Sequence, residues 1–233
     1  MVAMFFPSTN LHSWPTTAAE AIELQQEFRH RVKIENDFGE LKTVAGIDVS
    51  YDIKADTSRA VIVLMKLDRL EPLQTIVTDA PTTFPYIPGL LSFREIPVIL
   101  QALGHLATKP DLLMVDGQGI AHPRRLGIAA HLGVLVDMPS IGVAKSRLTG
   151  TYKEPGPATG DQSPLMDKGE RIGTVLRSKP KTNVLFISPG HRMDIATATQ
   201  LTLQCLRGYR LPEPTRIADK ISKQRERRQQ TLL

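Results

Sequence analysis

Apolar residues recur along this chain with two different periods, and the places where one period gives way to the other mark its elements. The first segment with helical spacing carries Ile22, Leu24, Phe28 and Val32 against an otherwise polar background. Thr17-Ala-Ala-Glu20 in front of it has the form of a capping box, so a helix is predicted over 17–33. Three β-rich segments follow at 43–51, 60–67 and 73–79. Their connections are short and polar, which makes an antiparallel meander the simplest pairing. A proline-rich loop spans 81–88, and Ser92-Phe-Arg-Glu95 reads as a second capping box. Val98, Ile99, Leu103 and Leu106 carry the helix behind it, with Pro97 in the first turns, where proline is better tolerated than in a helix interior.

Beyond residue 110 the pattern alternates. The run 112–115 is uninterrupted apolar, as parallel strands buried on both faces tend to be. Residues 125–136 read as helix, 140–144 as strand, and 154–168, rich in Pro, Gly and Asp, as an exposed loop. Two more strands are predicted at 171–176 and 184–187. A helix over 194–206 turns Ile195, Ala198 and Leu201 inward, and a last one starts at Pro214 and bears Ile217 and Ile221. No repeat, low-complexity tract or linker divides the chain, so a single domain over 1–233 is expected, with a basic tail from about 216. Three antiparallel strands, then parallel strands in helix–strand alternation, define an α/β fold, a mixed sheet flanked by helices.

Composition narrows the class without naming a function. The 233 residues are 41% hydrophobic and 5% aromatic, enough for one substantial core. The net charge of +5 favours acidic partners, nucleic acid first, although a charge this modest also serves plain solubility. One cysteine, Cys205, excludes an internal disulfide and reads as packing within Leu201-Thr-Leu-Gln-Cys-Leu206. No run approaches the roughly 20 apolar residues of a membrane span. The first fourteen residues lack the pattern of a signal peptide, so a soluble, cytoplasmic protein is expected.

Four acids stand in four unlike contexts. Asp48 interrupts the apolar run Thr43-Val-Ala-Gly-Ile-Asp-Val-Ser50, and Asp116 ends Leu112-Leu-Met-Val-Asp116 before Gly117-Gln-Gly119. A carboxylate at the end of a buried strand is costly unless something pairs with it. Two such positions beside glycines point to a hard cation such as magnesium. Hydrolysis of a phosphodiester is chemistry that divalent ions serve well, singly or as a pair about 4 Å apart. Asp48 and Asp116 converge if their strands are neighbours; the plainer alternative is a strand-end Asp capping a turn. Glu95 is explained by capping alone, and Asp219 by pairing with Lys223 at i,i+4 on a helix surface. Lys145, just past an apolar strand, is either a solvated lysine or a group that neutralises phosphate charge. His122 and His191 are candidate phosphate contacts with structural roles as the alternative, and Arg94 and Arg124 are further candidates. Pro85-Tyr86-Ile87-Pro88 is either a stiff apolar wedge able to fill the gap left by an unstacked base, or a braced loop packing Tyr86 inward. The run of basic residues from Arg216 to Arg228 is either a phosphate-tracking helix or a solvated end.

Six segments, taken together and in order, resemble one family. They are Ala45-Gly-Ile-Asp-Val-Ser-Tyr51, Pro85-Tyr-Ile-Pro-Gly-Leu-Leu-Ser-Phe-Arg-Glu95, Val115-Asp-Gly-Gln-Gly-Ile-Ala-His-Pro-Arg124, Ser140-Ile-Gly-Val-Ala-Lys-Ser-Arg-Leu148, Ser188-Pro-Gly-His-Arg192 and Leu211-Pro-Glu-Pro-Thr-Arg216. Over about 44–219 the chain resembles the endonuclease V family of the ribonuclease H-like superfamily. The resemblance implies a ribonuclease H-like mixed sheet. It implies a magnesium-dependent nuclease, with manganese able to replace magnesium, acting on DNA that contains deaminated bases, chiefly deoxyinosine. It implies hydrolysis of the second phosphodiester 3′ to the lesion, leaving 3′-hydroxyl and 5′-phosphate ends. Glu95 and Asp219 then join Asp48 and Asp116 as metal ligands, Lys145 and His122 assist catalysis, and Tyr86 enters the DNA beside the lesion. Gly89, Leu91, Gly117, Ile128, Gly142 and Leu148 line the lesion pocket on the same basis. Inosine-containing RNA is a further candidate partner, and a monomer is expected.

Hypoxanthine carries a carbonyl at C6 and a proton on N1, so backbone N–H and C=O groups suffice to tell it from adenine. Two other readings compete. A junction or flap nuclease of the same superfamily shares the carboxylates but has no use for the Pro-Tyr-Ile-Pro segment. A basic, non-catalytic binding protein leaves unexplained why carboxylates face phosphate without a bridging cation.

Overall fold

The computed structural model describes residues 11–224. Arg225, Arg227 and Arg228 of the basic tail lie outside the described residues. One eight-stranded mixed sheet runs through the molecule in the order β3-β2-β1-β4-β5-β8-β7-β6. The meander comprises β1 (Thr43–Asp52), β2 (Thr57–Lys66) and β3 (Pro72–Pro81), antiparallel throughout. β4 (Leu112–Val115) joins β1 in parallel, and β5 (Ser140–Ala144) joins β4 in parallel. The remaining strands, β6 (Gln162–Asp167), β7 (Glu170–Leu176) and β8 (Leu185–Pro189), are all antiparallel to their neighbours. The parallel part of the sheet is therefore limited to β1, β4 and β5, which corrects the expectation of parallel strands after the meander: β8, β7 and β6 are joined by antiparallel pairing instead.

Period-2 alternation sorts the strand residues between two layers. Ala45, Ile47, Leu113 and Val115 face α1 (Ala18–Phe28), α2 (Leu91–Gly104) and α3 (Ile128–Val136). Val44, Leu112, Met114, Ile141 and Val143 face α4 (Ile195–Gln204) and α5 (Glu213–Ser222). Gly46 lies on this second face, and a Cβ there would come within 2.2 Å of the Pro214 backbone. Its missing side chain is what lets α5 start directly against β1. Among the described residues no helix is long and apolar enough to cross a membrane.

Several local expectations are corrected. Leu90, not a polar side chain, occupies the N-cap of α2; Ser92 lies inside the helix and bonds His131 instead (3.1 Å). The second capping box therefore does not form, although the first one does, between Thr17 and Glu20. α3 starts at Ile128 because Arg125 has φ +59° and turns its guanidinium onto Asp167 and Glu170. The 154–168 segment holds the edge strand β6, of which only Leu165 is fully buried; a strand this polar leaves little alternation to read. On α1 the inward face is Ala21, Gln25 and Phe28, with Ile22 and Leu24 half-buried at its margin.

Candidate active site

The sheet itself brings the first two acids together. Ile47 of β1 is the register partner of Val115 of β4, and the Asp116 N–H donates to the Ile47 carbonyl (2.9 Å). Asp48 and Asp116 are the next residues along, on the α5 face by the same alternation that buries Met114 there. Lys145 follows β5 on that face, and α5, seated over Gly46, delivers Asp219. Carboxylate oxygens of Asp48, Asp116 and Asp219 lie within 4.8 Å of one another.

Three carboxylates this close repel strongly at short range. Lys145 Nζ is ion-paired to both Asp116 and Asp219, and Lys223 pairs with Asp219 at 2.8 Å, the i,i+4 contact foreseen from the helix pattern. The Ser222 hydroxyl donates to Asp48, and Ser50 ties back to the Ser222 carbonyl (2.9 Å). Burial, then the Asp116 charge, push the Asp48 carboxyl up to about 7. Burial alone would raise Asp219, but hydrogen bonds from Lys145 and Lys223 hold it below the ordinary carboxylate range. Burial alone would lower Lys145; Asp116, Asp219 and Asp48 outweigh it, so the ammonium is held charged.

The proton linkage of Asp48 is testable. Its carboxyl is raised in the folded chain, so the stability it contributes is complete below about pH 4, the unfolded value, and is lost as pH rises through about 7. Asp48→Asn mimics the protonated acid. In metal-free buffer the melting temperature of Asp48→Asn relative to wild type should rise between about pH 4 and pH 7 and level off above that. A difference that stays flat over that window contradicts the geometry.

Glu95 approaches from the other layer, on α2, and is buried. It stands outside the compact triad. Its Oε1 accepts the Tyr51 hydroxyl at 2.6 Å, and the Arg94 guanidinium lies 3.9 Å from the Tyr51 ring centroid. Burial, with the charges of Asp48 and Asp116, raises Glu95 well above the carboxylate range even though the Tyr51 bond acts the other way. Glu95 thus faces the triad electrostatically while Tyr51 fixes one of its oxygens. Tyr51 and Ser222 were not singled out by sequence: a tyrosine in a strand reads as packing, and Ser222 gains meaning only once α5 is docked.

Beside the acids opens a cavity of about 300 Å³. Asp116 and Lys145 line it together with Tyr86, Ile87, Pro88, Gly89, Leu91, Gly117, Ile128 and Leu148. Gly142 does not line it; that glycine lies under the turn after Asp116, where a Cβ would meet Gly119 N at 2.3 Å. Phe84, not Tyr86, is the aromatic packed into the core, and Tyr86 is 66% exposed at the cavity mouth. Pro85 is exposed outside the lining.

The imidazole of His122 is committed within the wall. Its Nδ1 accepts from the Arg124 N–H (3.1 Å), which puts the proton on Nε2 for donation to the Gly89 carbonyl (2.9 Å). Burial lowers its pKa to about 4, so the ring is neutral. Arg124 donates to the same carbonyl and Arg94 covers Tyr51. His191 sits at the opposite end of β5, bonded to Lys33 N–H (3.2 Å) and Asp137 (3.2 Å), away from the acids.

The endonuclease V family model matches residues 26–220 of the chain. An endonuclease V of Xanthomonas campestris pv. campestris strain 8004 is 51% identical over 213 residues, covering 91% of this chain and 90% of its own length. The crystal structure of endonuclease V from Streptomyces avermitilis aligns with TM-score 0.86 at 39% identity, over 94% of this chain and 96% of that one. Endonuclease V of Ciona intestinalis, crystallised with a 24mer DNA containing an inosine followed by a ribo-adenosine, aligns with TM-score 0.78 at 28% identity, over 90% and 98% of the two chains.

Proposed function

This chain belongs to the endonuclease V family, and from that premise we propose that it is a magnesium-dependent repair nuclease that takes a deaminated base, chiefly hypoxanthine, into the cavity beside its acids. The observation that carries the reading is the shared wall: Asp116 and Lys145 belong both to the carboxylate cluster and to the lining of a base-sized cavity. The bond hydrolysed is the second phosphodiester 3′ to the lesion, leaving 3′-hydroxyl and 5′-phosphate ends, as the family resemblance implies. The inosine-containing DNA bound by the Ciona relative supports the same substrate class.

The donor set fits a hard divalent cation. Asp48, Asp116 and Asp219 offer only oxygen, lie within 4.8 Å of one another and are compensated by an internal ammonium. They would hold the ion, with Glu95 as a further ligand through the oxygen that Tyr51 leaves available. Bound there, magnesium supplies neutralisation of phosphate charge and activation of a water. The rest is the work of the chain. Lys145, no longer needed as counter-ion, is placed to meet charge developing on the phosphate. Tyr86, already exposed on a loop stiffened by Pro85 and Pro88, fills the stack position the base vacates. The cavity's backbone groups then distinguish hypoxanthine from adenine at C6 and N1, where adenine offers the opposite pattern.

The test is a magnesium titration of nicking on one inosine-containing oligonucleotide beside its adenine twin and an undamaged branched duplex. Saturable nicking of the inosine strand alone is expected. Equal cleavage of the branched duplex would favour the junction-nuclease reading, and binding without cleavage the non-catalytic one. In the same assay Tyr86→Ala should lower the preference for inosine about tenfold, the scale of one lost base–aromatic stack, with a smaller change in the single-turnover rate at saturating enzyme. An unchanged preference removes Tyr86 from recognition.

A further inference from the structure

The cavity has a clasp at its back, made by a residue of α1. Gln25 is buried, 1% exposed, in a helix whose other polar residues face solvent. Its Nε2 donates to the Gly89 carbonyl (3.0 Å) and to the Leu126 carbonyl (3.1 Å), and its Oε1 accepts from Arg124 Nε (2.5 Å). Gly89 and Leu126 belong to different walls of the cavity. Gly89 ends the segment that carries Tyr86, and Leu126 precedes Gly127, the N-cap of the helix that begins with Ile128. One amide group therefore ties the two walls together through its two hydrogens.

The Gly89 side of the clasp is reinforced. Gly89 has φ +80°, a left-handed conformation that suits glycine, and its carbonyl also accepts from His122 Nε2 (2.9 Å) and Arg124 Nη2 (3.0 Å). The Leu126 carbonyl has no such second anchor among the described residues' side chains, so Gln25 alone links it to that cluster. Gln25 makes no hydrogen bond to Asp48, Glu95, Asp116, Lys145 or Asp219.

We infer that Gln25 is a positioning residue that fixes the width of the lesion pocket and thereby the selectivity for the deaminated base, with His122 and Arg124 as its partners. The inference rests on the proposed function of the cavity. Loss of the clasp should be felt in base selection and substrate affinity, and hardly in the chemical step, because no reacting group touches it.

The variant that isolates this is Gln25→Met, close in length and volume, which keeps the packing and removes both donated bonds and the one accepted from Arg124. Single-turnover nicking of the inosine strand and its adenine twin is measured over a range of enzyme concentrations. The half-saturating concentration for the inosine strand should rise about tenfold, the scale of the two hydrogen bonds that tie the walls together, while the maximal rate stays within about twofold of wild type. The inosine-to-adenine preference should fall by roughly fivefold or more. If Gln25→Met loses its cooperative unfolding transition, Gln25→Asn, too short to span both walls, is read the same way. Unchanged affinity and preference, or a loss confined to the maximal rate, overturns the inference while leaving the cavity's function standing. A wild-type enzyme that does not prefer inosine overturns the function reading and this inference with it.

Discussion

Asp116→Ala should slow nicking of an inosine-containing strand by on the order of a thousandfold or more, the upper range for removing one group that organises transition-state charge. Three features of the site make this the most sensitive position. Asp116 is shared between the carboxylate cluster and the cavity, it anchors Lys145, and its charge is the second cause, after burial, of the raised Asp48 carboxyl. Alanine therefore removes a proposed metal ligand, frees the ammonium from one of its two partners and lets Asp48 ionise more readily. In the proposed reading the cavity's backbone groups, not the Asp116 carboxylate, tell the bases apart, so the variant should still bind the inosine strand in preference to its adenine twin. Gel-based nicking under single-turnover conditions, with fluorescence anisotropy for binding, separates the two effects. An Asp116→Ala enzyme that turns over within about tenfold of wild type removes the cluster from the mechanism.

Much of this site was legible because its residues break local rules. An acid within the apolar run of β1 and another at the end of β4 are exceptions that only a partner explains, and parallel pairing of those strands brings them together. The exposed Tyr86 between two prolines likewise stood out from its surroundings. Residues whose local context offers a sufficient explanation were harder to read. Ser92 and Glu95 have capping-box spacing, yet the N-cap is two residues earlier, at Leu90, and the glutamate turns to Tyr51. Gln25 has the look of a solvent-facing helix residue; only the docking of α1 against two loops distant in sequence reveals its use. Strand direction beyond β5 could not be read either. A short apolar run carries no mark of its orientation, and β8 returns antiparallel where a parallel strand was expected.

Lys145→Met should lower the nicking rate at saturating magnesium about a hundredfold, and it should do something more diagnostic to stability. Without a bound ion, Lys145 is the cation that pairs with both Asp116 and Asp219, which stand within 4.8 Å of each other and of Asp48, while Lys223 reaches Asp219 from the more exposed side. Methionine keeps much of the stem and removes the charge, so like charges at short range lose their internal compensation. The metal-free variant should melt below wild type at pH 8, where the acids are most ionised. Its melting temperature should then rise more than that of wild type on addition of magnesium, because the ion restores a charge the variant lacks and no longer competes with an ammonium for Asp116 and Asp219. For the same reason the magnesium concentration giving half-maximal residual activity should not increase. A lysine that merely packed would give equal metal-induced shifts in the two proteins. Equal shifts, with nicking close to wild type, would show that the ammonium neither balances the acids nor assists the reaction.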